Sequence, residues 1–151
     1  MKYTTLVFLR RGDELLLAMK KRGHGEGNWN GPGGKLEPGE TPLQCAVREC
    51  EEEVGVTPEN LELVGELHFF DLPDVDHYTY IYVATEWKGE PTESEEMRPQ
   101  WFKLTDIPYA DMWPDDTLWL PLMLAGKKFK GEVTIEHNAV TKHHIEEVAA
   151  L

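Results

Sequence analysis

Cationic side chains are scarce in this chain: 15 Lys and Arg stand against 28 Asp and Glu, a formal net charge of −13 over 151 residues. That balance excludes a surface that grips a nucleic-acid polymer, because phosphate backbones are bound by clustered Lys and Arg. It still admits a single nucleotide whose phosphates a divalent ion neutralises. Cysteine is scarcer, with two in all, so reduced thiols in an intracellular setting are expected rather than a disulfide framework. No apolar run approaches the roughly 18 residues of a membrane span. The apolar stretch in MKYTTLVFLRRG is too short for a secretory signal and reads as a first strand. Repeats, low-complexity tracts and internal linkers are also missing. A chain of this length without them is expected to form one domain, residues 1–151, around a sizeable core.

What the chain does have is a patterned acidic segment, GKLEPGETPLQCAVRECEEEVGV, from Gly34 to Val56. Thr41 as N-cap, Pro42 at the first helical position and Gln44 closing a capping box predict a helix starting at Pro42. Leu43, Ala46, Val47, Cys50 and Val54 make an apolar stripe, and Gly55 is placed to end the helix in a left-handed conformation. On the other side Glu49 and Glu53 sit at i and i+4, with Glu52 between them. Like charges this close repel unless a cation neutralises them, and oxygen-rich clusters suit a hard divalent ion. Arg48 is spaced to reach Glu52 and hold it in one rotamer. Gly31-Pro32-Gly33-Gly34, just upstream, is a tight loop whose backbone can approach a ligand or offer a carbonyl to a metal.

Strand-like stretches surround this helix. Tyr3 to Arg10 and Glu14 to Lys20 are joined by an Arg11-Gly12-Asp13 turn. Leu61 to Phe70 and His77 to Trp87 are separated by a turn containing Pro73. Met97 to Leu104 reads as a short strand, Leu118 to Ala125 as a second helix, and Phe129 to Glu136 with Lys142 to Val148 as a closing hairpin. Strands flanking helices predict an α/β class with a mixed sheet.

The segment matches, at every specified position, the pattern G-x5-E-x7-R-E-U-x-E-E-x-G-U with U apolar, through Gly34, Glu40, Arg48, Glu49, Cys50, Glu52, Glu53, Gly55 and Val56. This chain thereby resembles the Nudix hydrolases. The resemblance implies the Nudix fold, an α/β/α sandwich with a mixed sheet and the loop-helix motif. It also implies a pyrophosphohydrolase using Mg2+, with Mn2+ as a substitute. By the same resemblance Glu49, Glu52 and Glu53 are metal ligands, completed by the backbone oxygen of Gly33 and the side chain of Glu96. Glu52 is expected as general base, and Arg48, Glu49 and Glu53 belong with it to the catalytic set.

Two further stretches, MKKRGHGEGNWNGPGGK at residues 19–35 and SEEMRPQWFKLTDIPYADMWPDD at residues 94–116, resemble one branch of that family. Similarity runs from about Tyr3 to Val148, weakest at residues 71–85 and after Glu132. That branch cleaves oxidised purine nucleoside triphosphates, of the 8-oxo-dGTP and 2-hydroxy-dATP type, to the monophosphate and pyrophosphate, sanitising the nucleotide pool. Asn30, which carries both a donor and an acceptor, is then expected at the base with Asp115 and Asp116. Trp113 offers a stacking face, Lys20 lies near the phosphates and the base entrance, and Thr5 and Phe69 line the pocket. Each has a plainer alternative: Asp115 and Asp116 as caps of the second helix, Trp113 as core, Glu96 and Lys20 as solvated charges, Thr5 and Phe69 as ordinary strand residues. His24, Asp71 and His77 stand where that branch carries apolar or aromatic side chains, so one pocket wall is expected to be more polar. The segment from His137 to His144 has no spacing that compels a zinc site. The expected partner is a small nucleotide, with no nucleic-acid polymer and no membrane, and the expected state is a cytoplasmic monomer. A Nudix hydrolase of dinucleoside polyphosphates or undamaged nucleotides, and a binding module without catalysis, remain as alternatives.

Overall fold

The computed structural model describes residues 1–72 and 76–151. Strand β1 (Lys2–Arg11) and strand β2 (Glu14–Lys20) are joined by a tight turn with Gly12 at φ 59°, a left-handed conformation that glycine adopts without strain. A two-residue strand β3 (Trp29–Asn30) follows, then helix α1 (Pro42–Val54). Strand β4 (Thr57–Glu59) pairs with β7 (Glu86–Lys88) in a small separate sheet, while β5 (Glu62–Leu72) and β6 (His77–Ala84) join the main one. Strand β8 (Met97–Lys103), helix α2 (Asp116–Leu124), and strands β9 (Lys128–Glu136) and β10 (Ala139–Val148) complete the chain. The main sheet runs β10-β9-β5-β6-β1-β2-β3, with β8 also pairing β2. It is mixed: β1 is parallel to β6 and β5 to β9, whereas β5–β6 and β9–β10 are antiparallel.

Successive residues of a strand face opposite sides, and β1 shows how two cores follow from that. Phe8 packs with Trp119, Leu120 and Met123 of α2, whereas Val7 and Leu9 pack with Ala46, Cys50 and Val54 of α1. Leu15 and Leu17 of β2 join the first core, Leu16 and Ala18 the second. The helices therefore lie on opposite faces, as an α/β/α sandwich requires. Each fully buried Leu, Phe or Val in these layers contributes about 1.5–3 kcal/mol relative to exposure.

The start and stop of α1 follow its sequence. The Thr41 side chain accepts from the Gln44 N–H at 3.1 Å, Gln44 Oε1 accepts from the Thr41 N–H at 2.9 Å, and Gly55 ends the helix at φ 72°. Its buried line is Cys45, Ala46, Cys50 and Val54, whereas Leu43, expected in the stripe, is 49% exposed. Leu43 lies in the first turn, ahead of the point where the helix reaches the sheet. The expected strand from His77 to Trp87 is two strands, because the chain leaves β6 after Ala84 to pair β7 with β4. Leu104–Asp106 and Tyr109–Asp111 form short 3-10 turns. The expected turn at Pro73 lies outside the described residues. Among the described residues no helix is long and apolar enough to cross a membrane.

Thr41→Ala removes the capping box that starts α1. It is expected to cost about 1 kcal/mol, read as a lower urea midpoint with unchanged slope. An unshifted midpoint would show that packing alone sets the helix start.

Candidate active site

Strands β1 and β2 pair only at Arg10–Leu15 and Arg11–Glu14 and then part. The chain from Pro32 onward fills the edge that this parting opens on β1. The Val7 N–H donates to Pro32 O at 2.7 Å, the Thr5 N–H to Gly34 O at 2.9 Å, and the Leu36 N–H to Tyr3 O at 2.9 Å. Gly33 lies so close to β1 that a β-carbon there would collide with the Thr5 carbonyl, and one on Gly34 would lie 2.5 Å from the Glu49 carboxyl carbon. Two bare backbone positions thus let the acid face of α1 press onto the loop. Glu53 makes the closest join, its Oε1 accepting from the Gly33 N–H at 2.9 Å with the residue only 8% exposed.

Arg48 neutralises the neighbouring acids. Its guanidinium holds Glu40 with two bonds, Nε to Oε2 at 2.7 Å and Nη2 to Oε1 at 3.0 Å, and Nη1 donates to Glu49 at 2.8 Å. Nη2 also reaches Lys35 O at 3.2 Å, tying the loop to the helix. The expected contact with Glu52 is present at 3.3 Å, but Glu40 is the better held partner. Glu40 enters only through the loop between Gly34 and α1, so helical spacing could not reveal the pairing. The Arg48 hydrogen bonds hold the Glu40 carboxyl at about 2, well below its ordinary value. Burial pushes Glu53 up to about 7, opposed by the Gly33 N–H and reinforced by the charge of Glu49.

A cavity of about 580 Å³ opens beside this helix-loop junction. Thr5, Lys20, Asn30, Gly33, Glu53, Phe69, Trp113, Asp115 and Asp116 all border it, so residues far apart in sequence converge on one space. Lys2, Thr4, Asn28 and Ile135 also border it; these are residues that sequence reasoning missed, because nothing in their spacing marks a ligand. Thr5 borders it with its hydroxyl turned to Cys45 Sγ at 3.3 Å, on the α1 side of β1. Trp113 lies against His24 in the cavity lining, ring centroids 5.1 Å apart and planes tilted by 33°. Of Glu49, Glu52 and Glu53, Glu52 is the most exposed, its side chain 58% exposed against 16% for Glu49. Glu96 is bonded to Arg22 at 2.8 Å and lies within 3.5 Å of Lys20, whose charge also acts on Glu53.

The floor of the cavity buries two carboxyls. Asp115 is 4% exposed and Asp116 2%. Asp115 precedes α2 but makes no side-chain cap; its Oδ2 accepts from the Trp119 Nε1–H at 2.8 Å. The capping alternative for Asp115 is thereby set aside, since the indole in the core competes for the same carboxyl. Among the described residues, Asp116 Oδ2 has no hydrogen-bond partner and is buried. Burial raises both pKa values, and the Asp115 charge adds to burial in lifting Asp116 well above the ordinary carboxylate range, which favours its protonated form. Asn30 Oδ1 is engaged by the Gly31 N–H at 2.9 Å, which leaves its NH2 as a donor to the cavity.

Among the described residues, no group of three or more His, Cys, Asp or Glu side chains is already disposed to hold a metal ion. The donor chemistry nevertheless fits a hard divalent cation: the Glu49 and Glu53 carboxyls meet the Gly33–Gly34 backbone at this junction, and burial raises the pKa of Glu53.

A model of the family described as the NUDIX domain matches residues 2–123. The chain is 44% identical over 152 residues to an oxidized purine nucleoside triphosphate hydrolase from Danio rerio, covering 99% of this chain and 97% of that protein. It is 45% identical over 150 residues to the protein of the same name from Mus musculus, covering 95% and 94%. Among solved structures, a MutT protein from Bacillus halodurans superposes with a TM-score of 0.86 at 27% identity, over 97% of this chain and 98% of that one.

The raised pKa of Asp116 has a consequence for stability. The folded state keeps a proton that the unfolded chain releases above about pH 4, so this carboxyl makes stability fall as pH rises. Asp116→Asn, neutral throughout, should match wild type at pH 4. Its advantage should then grow by up to about 1.4 kcal/mol per pH unit until the folded carboxyl ionises. Urea melts across pH 4–8 measure this, and a pH-independent gap would show that Asp116 is not held protonated.

Proposed function

The chain belongs to the NUDIX family, and on that premise we propose that it hydrolyses oxidised purine nucleoside triphosphates, of the 8-oxo-dGTP and 2-hydroxy-dATP type. The products are the nucleoside monophosphate and pyrophosphate, and the role is to clear damaged nucleotides from the pool. One observation carries the substrate reading: the cavity that reaches Glu53 and Gly33 also holds the buried Asp116 carboxyl, one oxygen of which has no partner among the described residues, with Asp115 and Asn30 in the same lining. A buried polar group without a partner costs about 1–3 kcal/mol, and a purine edge supplies the missing partner.

The residues divide the work. Asn30 donates through its NH2, Asp116 donates through its proton, and Asp115 accepts through its remaining lone pairs, so the floor can match a base that offers both acceptors and donors. Trp113 closes over the base from the mouth. Lys20, bordering the cavity and close enough to lower the pKa of Glu53, meets the phosphates. Glu49, Glu52 and Glu53, with the Gly33 carbonyl and the Glu96 side chain, would hold the divalent cation, taken here as Mg2+ with Mn2+ as substitute. When bound, that cation supplies charge neutralisation of the polyphosphate and activation of a water. Glu52 takes the proton of the attacking water as general base, a role that its exposure, the greatest of the three, supports. Arg48 keeps Glu49 and Glu52 oriented while Glu40 neutralises it. The reading includes a monomer of one domain in the cytoplasm. Two free buried thiols support the reducing compartment, and the acidic surface supports a nucleotide rather than a polymer as partner.

Incubation with Mg2+ and a nucleotide panel tests the proposal. Higher kcat/KM for 8-oxo-dGTP than for dGTP, with monophosphate and pyrophosphate as products, is expected; equal or better turnover of dGTP sinks it. Glu53→Gln should lower turnover about 10²–10⁴-fold while nucleotide binding survives, and full activity in that variant would remove Glu53 from the centre. Asp115→Asn should change the ranking of bases more than the rate on the best one, which the same panel measures.

A further inference from the structure

The cavity has a second polar end that the functional reading does not use. In the strand register, Leu6, Ile81, Gly65 and Phe129 form one row across β1, β6, β5 and β9. Trp119, which holds Asp115, stacks on Phe129 with centroids 5.7 Å apart, so the buried acids are tied to this row. Lys2, His77, Phe69 and Val133 form another row, four residues along the strands, on the order of 13 Å away at ~3.3 Å per residue. Between them Thr4 and Thr79 bond across the floor at 2.8 Å. Asp71 lies on β5 just beyond Phe69, paired with Ile135, and both Asp71 and His77 border the cavity.

His77 is positioned rather than loose. Its ring lies over Phe69, centroids 4.8 Å apart and planes 16° from parallel. Burial lowers its pKa, although Asp71 pulls the other way, with Lys2, His68 and His24 as the other charged neighbours. A ring neutral near pH 7 keeps one N–H donor and one lone pair. The carboxylate and the imidazole together therefore offer an acceptor beside a donor.

Purine chemistry gives that pair a meaning. Undamaged guanine offers only the N7 lone pair on its five-membered ring. Oxidation at C8 turns N7 into an N–H donor and sets a carbonyl acceptor next to it. Resting on the functional reading above, we propose that Asp71 and His77 are specificity residues that read the lesion itself, Asp71 accepting from N7–H and His77 donating to the C8 oxygen. The undamaged base meets the Asp71 carboxylate with a lone pair, which repels where the oxidised base bonds. The floor acids and Asn30 hold the opposite edge, and the apolar faces of Leu6 and Phe69 lie between. A 2-hydroxyl group lies on the six-membered ring and does not alter the edge that Asp71 and His77 face.

The test is kcat/KM for 8-oxo-dGTP, dGTP, 2-hydroxy-dATP and dATP with wild type, Asp71→Ala and His77→Phe. Both variants should lose about 10–100-fold of the preference for 8-oxo-dGTP over dGTP, while the preference for 2-hydroxy-dATP over dATP stays as in wild type. Asp71→Asn, near in size and uncharged, supplies the same comparison should Asp71→Ala fail to fold. Its affinities for 8-oxo-dGMP and dGMP by calorimetry should move closer together. A selective wild type whose 8-oxo preference survives in both variants overturns this inference alone, as does a parallel loss of both preferences. A wild type indifferent to oxidation overturns the functional reading and this inference with it.

Discussion

Arg48 holds together a junction that would otherwise repel itself. Glu40, Glu49 and Glu52 all lie within salt-bridge distance of its guanidinium. Remove that positive charge and the acid face of α1 and the loop before it push apart. With it in place, the helix can lie against Gly33 and Gly34 closely enough for Glu53 to bond the loop backbone. The bidentate grip on Glu40 matters most, because Glu40 belongs to the loop and not to the helix. A lysine offers one charge but not the planar fork that two bonds to Glu40 need.

The junction depends in turn on where β1 and β2 separate. Their ladder lasts two residue pairs, after which the Pro32–Leu36 chain supplies the missing bonds to β1. Where the sheet splits, the loop supplies backbone hydrogen bonds to β1 at Tyr3, Thr5 and Val7, and the split opens a concave space over the α2 face of β1. The strand alternation that builds two cores also sorts the two chemistries. Side chains of β1 facing α1 support the acid helix, as Thr5 does through Cys45, while Thr4 and Leu6 face the cavity. One strand thereby carries the support of the acid helix on one side and part of the cavity lining on the other.

The buried acids oppose stability, and in the proposed function they serve recognition. A carboxyl with an unpaired oxygen in a pocket floor is a deficit that folding carries and a ligand removes. The surrounding packing of Trp119 against Phe8 and Phe129 is what sustains it. Asp115 shows why local reasoning falls short here. An acid before a helix is ordinarily a cap, and only the arrival of Trp119 Nε1 from one turn on redirects it. The same holds for Glu96, whose partners Lys20 and Arg22 are far off in sequence and adjacent only because β2 pairs with β8.

From the chain alone, α1 could be drawn with its cap, its stop and its three acids, because capping and helical spacing are local and the residues involved lie within a few turns. The hydrolase class was legible there for the same reason, as were most strands, whose alternation is also local. Leu43 and the split at Ala84 were misplaced because burial and pairing depend on what a segment meets. The bond between Glu40 and Arg48 and the closeness of Gly33 to Glu53 depend on the loop path. The convergence of Asn30, Asp115 and Asp116 with Asp71 and His77 depends on sheet order. No spacing rule links residue 30 to residue 116 or residue 71 to residue 77 across a cavity. Local physics set the acid helix; the parting of β1 from β2 and the register of β1, β6, β5 and β9 set what reaches it.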